Sequence, residues 1–431
     1  MPIDQQQWSI TNNLIYPKSL PSEMGNTCLI CKTLLVDKSK DYCERHERFR
    51  AAITIAPKLK EDFFGSAPAP FVGEYGYPRV NVGILSTIEH EQDAWMHDAP
   101  QQWAAQNYGI SEVVNLRSSL VNSRFQAGVS DVRKSEKFLD ISKEVGMSSK
   151  PVDVEINLKK KPFLSLNFDN TALPRGPPGE LVKAQVTENP SISRHVDRVH
   201  DDTDWKAKDA MSYLYKHGYD ENFLTRILSV GTIGMQKDRK LVPTKWSITA
   251  VDDSLGKELI TKIKDYQTTD NLAYFGGYLG NYYLILFFPE VWQYELFEMY
   301  VPNNPGQTIN HSTDFESFSG RRGYAFNTQG GYYAARLAIA EKLFSMKRQA
   351  SVLALRVIRE EYDTPLGVWV VRQATRKALE SAPIIFGDKE LMIKYASAFL
   401  KKKFGFDVGV QMGKSILLQS LKNQKKLSAW N

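Results

Sequence analysis

The sequence lacks any apolar run long enough to cross a bilayer. Its best one, Tyr282 to Phe288, falls far short of the roughly 20 residues a span requires, and Pro289 ends it. The first seven residues, Met1 to Gln7, hold neither the basic nor the apolar region of a signal peptide. Together these absences predict a cytoplasmic protein with no membrane partner. Cysteine is scarce, with 3 in 431 residues. An odd number in a cytosolic chain argues against a disulfide framework. Neither sign of charge dominates, because 55 Lys and Arg face 49 Asp and Glu for a formal net charge of +6. There is no internal repeat, and no serine, cysteine or histidine triad is readable from spacing, so no covalent mechanism follows.

What remains is an ordinary globular composition, 42% hydrophobic and 24% charged, enough for conventional cores in two to three domains. The charge is unevenly placed. From Arg321 to Lys377 there are eleven Lys and Arg against four Asp and Glu, and from Leu391 onward eight Lys against Asp407 alone. The C-terminal quarter therefore carries more positive charge than the whole chain. That suits a polyanion such as DNA, although a solvated lysine-rich surface reads the same way.

All three cysteines fall within sixteen residues, as Cys28-Leu-Ile-Cys31 and, eleven residues on, Cys43-Glu-Arg-His46. Two close pairs of sulfur and nitrogen donors match a closed tetrahedral zinc site, which predicts structural Zn2+ on Cys28, Cys31, Cys43 and His46. Basic residues around it, Lys32 and Arg45 among them, fit either nucleic-acid contact or a module that only organises the N-terminus.

The pattern is α+β, with mixed sheets and helices between a small N-terminal zinc module and a flexible C-terminal tail. An irregular N-terminus (1–25) precedes the zinc module (26–50). An N-terminal α+β domain (51–305) and a basic C-terminal α+β domain (306–421) follow, divided in the Pro- and Gly-containing run Val301 to Gly320, and the tail is 422–431. Phe71 to Leu85 reads as two strands around a turn near Gly76 to Pro78. Glu91 to Tyr108 reads as a helix, Trp205 to His217 and Asn222 to Val230 as two more, and Lys245 to Val251 as an alternating strand closed by Asp252 and Asp253. Tyr282 to Phe288 and Ser351 to Arg359 read as strands. The helical spacing of Tyr333, Leu337, Ala340 and Phe344, the stretch ending at Leu379, Leu391 to Phe399, and Ile416 to Leu421 read as helices.

Three constellations have the chemistry of a site. His200, Asp201, Asp202 and Asp204 form an acidic cluster that could hold a divalent metal, but capping of the following helix is the favoured reading. Gly231 to Lys240 is a glycine-spaced turn whose Lys237, Arg239 and Lys240 could meet a phosphate. In Arg321 to Arg336, the paired glycines Gly330 and Gly331 open a helix. Arg321, Arg322 and Arg336 supply charge there, while Tyr324, Phe326, Tyr332 and Tyr333 either stack on bases or pack in a core.

The last eight residues, Gln424-Lys-Lys-Leu427-Ser-Ala-Trp430-Asn431, resemble a sliding-clamp-binding box. One tight turn places Leu427 and Trp430 on a common face as an apolar plug, with Gln424 for a small polar pocket. Asn431 stands where the second aromatic is expected.

Long stretches carry a wider resemblance: Phe71-Val-Gly-Glu-Tyr-Gly-Tyr-Pro-Arg-Val-Asn-Val-Gly83, Arg239 to Asp253, Gly330-Gly-Tyr-Tyr-Ala-Ala-Arg-Leu337 and Pro365-Leu-Gly-Val-Trp369. On these the chain resembles the archaeal Nre family of DNA-repair proteins. The resemblance implies an N-terminal and a C-terminal part, a link to DNA-damage tolerance and, for one branch, docking on the clamp PCNA through the box matched at Gln424, Leu427 and Trp430. The leading expectation is a repair factor with DNA and the sliding clamp as partners. The alternative is a nucleic-acid- or nucleotide-processing enzyme, a metal-dependent nuclease or a transferase, recruited by the same tail.

Overall fold

The computed structural model describes residues 54–162, 169–302, 309–362 and 364–423, with the backbone of an N-terminal hairpin, β1 (Trp8–Thr11) and β2 (Leu14–Pro17). The expected zinc ligands Cys28, Cys31, Cys43 and His46 lie outside the described residues, as do Gln424, Leu427, Trp430 and Asn431 of the tail. The hairpin falls in the segment read from the sequence as an irregular N-terminus.

The architecture is α+β, built on two mixed six-stranded sheets. The first comprises β3 (Asp62–Ala67), β4 (Ala69–Val72), β5 (Arg79–Ser86), β6 (Val121–Gly128), β7 (Val152–Leu158) and β8 (Pro178–Val186), in the order β3-β7-β8-β6-β5-β4. β4 and β5 form the expected hairpin, in register from Ala69 opposite Leu85 to Val72 opposite Val82. Between β5 and β6 the expected single helix is broken. A 3-10 turn, Ala94–Asp98, gives way at Pro100 to α1 (Pro100–Ala105), because proline has no N–H to continue the preceding turn. Then α2 (Ile110–Ser118) leads into β6, and α3 (Lys137–Met147) lays Leu139, Ile141 and Val145 against the sheet.

Three short helices follow: α4 (Arg194–Asp201), α5 (Ala207–Lys216) and α6 (Glu221–Ser229). Then comes α7 (Thr244–Ile263), where a strand was expected. Its buried positions are Ser247, Val251, Asp252, Leu255, Gly256, Leu259, Ile260 and Ile263. That stripe has the 3.6-residue period of a helix, and it emerges only beyond the seven residues that alternate.

The second sheet has β9 (Asn271–Tyr278), β10 (Asn281–Phe288), β11 (Gln293–Tyr300), β12 (Asn310–Glu316), β13 (Ser351–Ile358) and β14 (Ile384–Phe386). Its order is β12-β11-β13-β10-β9-β14. Helix α8 (Gln329–Met346) joins β12 to β13, and α9 (Trp369–Glu380) precedes β14. Every residue of β13 is buried, as its apolar run demands of a strand covered on both faces. On one face α7, α8 and α9 share the largest core with Tyr283, Ile285 and Phe287. On the other, α10 (Lys389–Phe404), α11 (Gly409–Gly413) and α12 (Ile416–Asn423) cover Leu284, Leu286 and Phe288. Three strands of this sheet come from before the run 301–320, β12 lies within it, and β13 and β14 come after it. β13 is inserted between β11, which it meets in parallel, and β10. The two halves of the chain thus complete one sheet. Among the described residues no helix is long and apolar enough to cross a membrane.

Candidate nucleic-acid interface

Packing of the α7 stripe turns Lys245, Trp246, Thr249, Asp253 and Lys257 the other way, into an open cleft of about 660 Å3. Its opposite wall is the loop before α8, with Arg321, Arg322, Tyr324 and Phe326, and its end is marked by Glu74 from the turn after β4. Trp246 is 47% exposed and Phe326 76% exposed. Trp246 leans on Tyr77 with ring centroids 5.2 Å apart. Tyr324 stands edge-on to Phe326 at 5.4 Å and stacks on Tyr333 at 5.5 Å. Tyr75, in the same turn as Tyr77, is almost fully exposed. Aromatic surface grouped in one cleft and left in water suits the stacking of unpaired bases.

The cations around the cleft divide into two kinds. Arg321 is spent on the loop itself. It donates to the carbonyls of Phe315 at 2.9 Å and Tyr324 at 3.0 Å and pairs with Asp314 at 3.1 Å. Arg322 beside it is exposed on the cleft wall. Lys245 lies between Glu74 at 3.3 Å and Asp169 at 3.1 Å. Burial alone would lower its affinity for the proton. The hydrogen bonds to the two carboxylates outweigh that and hold the ammonium above the usual lysine range.

Arg336, expected to face an anion, does not. It is 1% exposed, pairs with Glu316 at 2.8 Å and Asp253 at 2.5 Å, and stacks on Tyr332 and Tyr333. The expected anion seat at Gly330 and Gly331 is also filled from within. The Asp314 carboxylate accepts from Asn327 N at 3.0 Å, Thr328 N at 2.9 Å and the Thr328 hydroxyl at 2.9 Å, occupying the positive end of α8. The glycines serve packing. A Cβ at Gly330 would come within 2.9 Å of Val368, and one at Gly331 within 2.6 Å of the Glu298 carboxylate. Of the four aromatics expected in this stretch, Tyr324 and Phe326 reach the cleft, Tyr333 is buried but contributes to its lining, and Tyr332 is buried outside it.

The Gly231 turn is likewise committed to structure through Arg239. Its guanidinium donates to the carbonyls of Gly234 at 2.8 Å, His200 at 2.7 Å and Asp202 at 2.9 Å. Lys237 and Lys240 point into solvent, away from the cleft lining. In the acidic cluster, Asp202 accepts from Asp204 N and Trp205 N and so fastens the turn before α5, whose own first residue is Ala207. Among the described residues no group of three or more His, Cys, Asp or Glu side chains is arranged to hold a metal ion. Asp252 and Asp253 sit within α7, where Asp252 is buried against Arg372 at 2.7 Å. Trp246 and Lys245 were missed because the run containing them alternates like a strand. The signal that finds them is the aromatic density of the Phe71 to Gly83 motif, whose Tyr75 and Tyr77 are left in solvent.

The site is an aromatic-lined cleft on a two-sheet α+β scaffold. Two family models divide the chain between them: Archaeal Nre, N-terminal, over residues 38–305, and Archaeal Nre, C-terminal, over residues 316–430. The chain belongs to the archaeal Nre family. It is 36% identical over 358 residues to a protein of Haloferax volcanii named DNA repair protein NreA, covering 81% of this chain and 85% of that one. A DNA repair protein NreA of Archaeoglobus fulgidus is 36% identical over 380 residues, 87% of this chain and 94% of the relative. The same organism's DNA repair protein NreB is 33% identical over 397 residues, 91% and 97%. No solved structure gives a significant match.

Proposed function

We propose that the protein is a DNA-repair factor that holds single-stranded DNA in the cleft between α7 and the Arg321–Gln329 loop and is brought to DNA by its C-terminal tail. The observation that carries the reading is Trp246 and Phe326, two large aromatic side chains kept in water in the lining of the same cleft. The names of the relatives supply the biological setting. In this reading Gln424, Leu427 and Trp430 dock on the sliding clamp (PCNA), with Asn431 weakening the contact. A tether of that kind raises the local concentration of the cleft at DNA without demanding high intrinsic affinity. Cys28, Cys31, Cys43 and His46 hold one structural Zn2+, since four such donors in two close pairs satisfy its tetrahedral shell.

The test is an anisotropy titration of the full chain with a labelled single-stranded oligonucleotide. Trp246→Ala or Phe326→Ala should each weaken binding roughly 5- to 150-fold, the equivalent of about 1–3 kcal/mol of stacking per base. Binding that survives both substitutions removes the cleft from the account. In parallel, calorimetry against the clamp should show saturable binding that a chain ending at Lys422 loses.

A further inference from the structure

Beside the cleft, and sharing Glu74 and Lys245 with its lining, lies a more enclosed pocket of about 210 Å3. It is lined by the distinctive Phe71 to Gly83 motif on one side and by β6 and the Pro174 to Gly179 loop on the other. Asn122 and Arg124 project from the same face of β6, two residues apart. They do so across Gly83 of β5, where any Cβ would collide with the Asn122 side-chain oxygen. Arg175 reaches in from the loop with its guanidinium 4.1 Å above the ring of Phe71.

The contents of this pocket are unbalanced. Lys245 is neutralised by its two carboxylates, but Arg124 and Arg175 donate no hydrogen bond to any described residue. Arg175 is largely withdrawn from water and Arg124 about half, which disfavours the charged form of both; at Arg175 the nearby Asp169 and Glu74 carboxylates favour the charge while Arg117 and Arg124 oppose it. The buried Asn122 side-chain oxygen is an acceptor that also lacks a partner, and a hydroxyl or N–H donor of a ligand would fill it, not a phosphate. Guanidinium groups drawn away from water are usually paired, so a largely buried and a half-buried arginine that share one cavity without a hydrogen-bond partner mark a place an anion would fill.

We propose that Arg124 and Arg175, with Asn122 beside them, form a binding pocket for a nucleotide phosphate monoester. A monoester carries close to two negative charges at neutral pH and matches two unpaired arginines, whereas the diester of a continuous strand carries one. The enclosure of the pocket also favours the end of a chain over its middle. The proposal rests on the cleft reading only for what the phosphate is attached to: a phosphorylated strand end whose bases lie on Trp246 and Phe326, or a free nucleotide.

The experiment uses the full chain and Arg124→Gln and Arg175→Gln, which keep the side-chain bulk. Inorganic phosphate and a deoxynucleoside monophosphate should raise the melting temperature of the parent protein and leave that of both variants unmoved. Without phosphate both variants should melt higher than the parent, because each loses an uncompensated buried charge; arginines with a structural role would give lower values. Oligonucleotides with a 5′-phosphate, a 3′-phosphate or hydroxyl ends identify the source. At least about tenfold preference for one phosphorylated end, lost in the variants, assigns a strand end. Stabilisation by the monophosphate with no end preference assigns a free nucleotide. If hydroxyl-ended oligonucleotides do not bind at all while phosphate still stabilises the parent alone, the cleft reading falls and the pocket stands. If no phosphate compound shifts the melting temperature, no end is preferred and the variants melt lower, the pocket is structural and the proposal is overturned.

Discussion

Arg336 and Arg322 lie fourteen residues apart in one basic segment, and their surroundings give them opposite consequences when lost. Arg336→Ala would leave the Glu316 and Asp253 carboxylates, one of them fully buried, without their cation. It should cost about 3–5 kcal/mol of stability in a denaturant titration. Arg322→Ala, on an exposed loop, should change stability by no more than about 0.5 kcal/mol. Its effect should be on DNA, where losing one cation lowers the salt dependence of binding by about one unit of slope. Zinc is also argued at this scale. Metal analysis of the purified chain should find one zinc that Cys28→Ser or Cys43→Ser abolishes, and a full zinc complement in either variant would contradict the assigned ligands. Residue types were legible in the sequence, but partners were not. The acids that occupy Arg321 and Arg336 are Asp314, Glu316 and Asp253, and Asp253 sits 83 positions from Arg336 in the chain.

Among the elements, α7 decides both the core and the cleft. Its strand-like opening, Lys-Trp-Ser-Ile-Thr-Ala-Val, contains enough β-branched and aromatic residues to alternate. The long-range helical stripe through Leu255 and Leu259 wins because it buries against α8 and the second sheet. Helices that end in a plain signal were legible nearly to the residue, as with α5 before Gly218, whose φ of +87° ends it, and α12. Strands without alternation, such as β11 and β12, were not. Glu258 ties α7 to α5 through Lys216 at 3.0 Å and holds Lys262 at 2.7 Å within α7. Burial tends to raise its proton affinity, but hydrogen bonds from Lys262, Ser212 and Lys216 outweigh that and hold the carboxyl down to about 2. The folded chain therefore binds this proton less readily than the unfolded one. The stabilisation is complete above about pH 4.5 and is lost as pH falls toward 2. Thermal melts across that window should fall less steeply for Glu258→Gln than for the parent. Equal slopes would show that the pair contributes nothing.

Taken whole, the molecule is knitted across the junction at which the two family models meet. A chain cut at residue 305 would lose β12, β13 and β14, and β13 is the strand that separates β10 from β11. It would also expose the apolar faces that α8 and α9 cover. Expressed alone, residues 51–305 should lack a cooperative thermal transition, and co-expression with 306–431 should restore it; a cooperative melt of the fragment by itself would separate the halves. The class of fold was legible from the sequence because helix and strand periods both recur along it. β13 itself was read as a strand, but its parallel pairing was not legible, since nothing local to it names β11 as its neighbour. The cleft was half legible, through Tyr324, Phe326 and Arg322, and its other wall depended on a helix that reads locally as a strand.

The most direct test of the central claim is photocrosslinking of a bromouracil-substituted single strand to the full chain, with the attachment sites read by mass spectrometry. The account predicts adducts on Trp246, Tyr324 and Phe326, lost when excess unlabelled strand competes. Competed adducts confined to the lysines of α10, with none on the cleft walls, would contradict it.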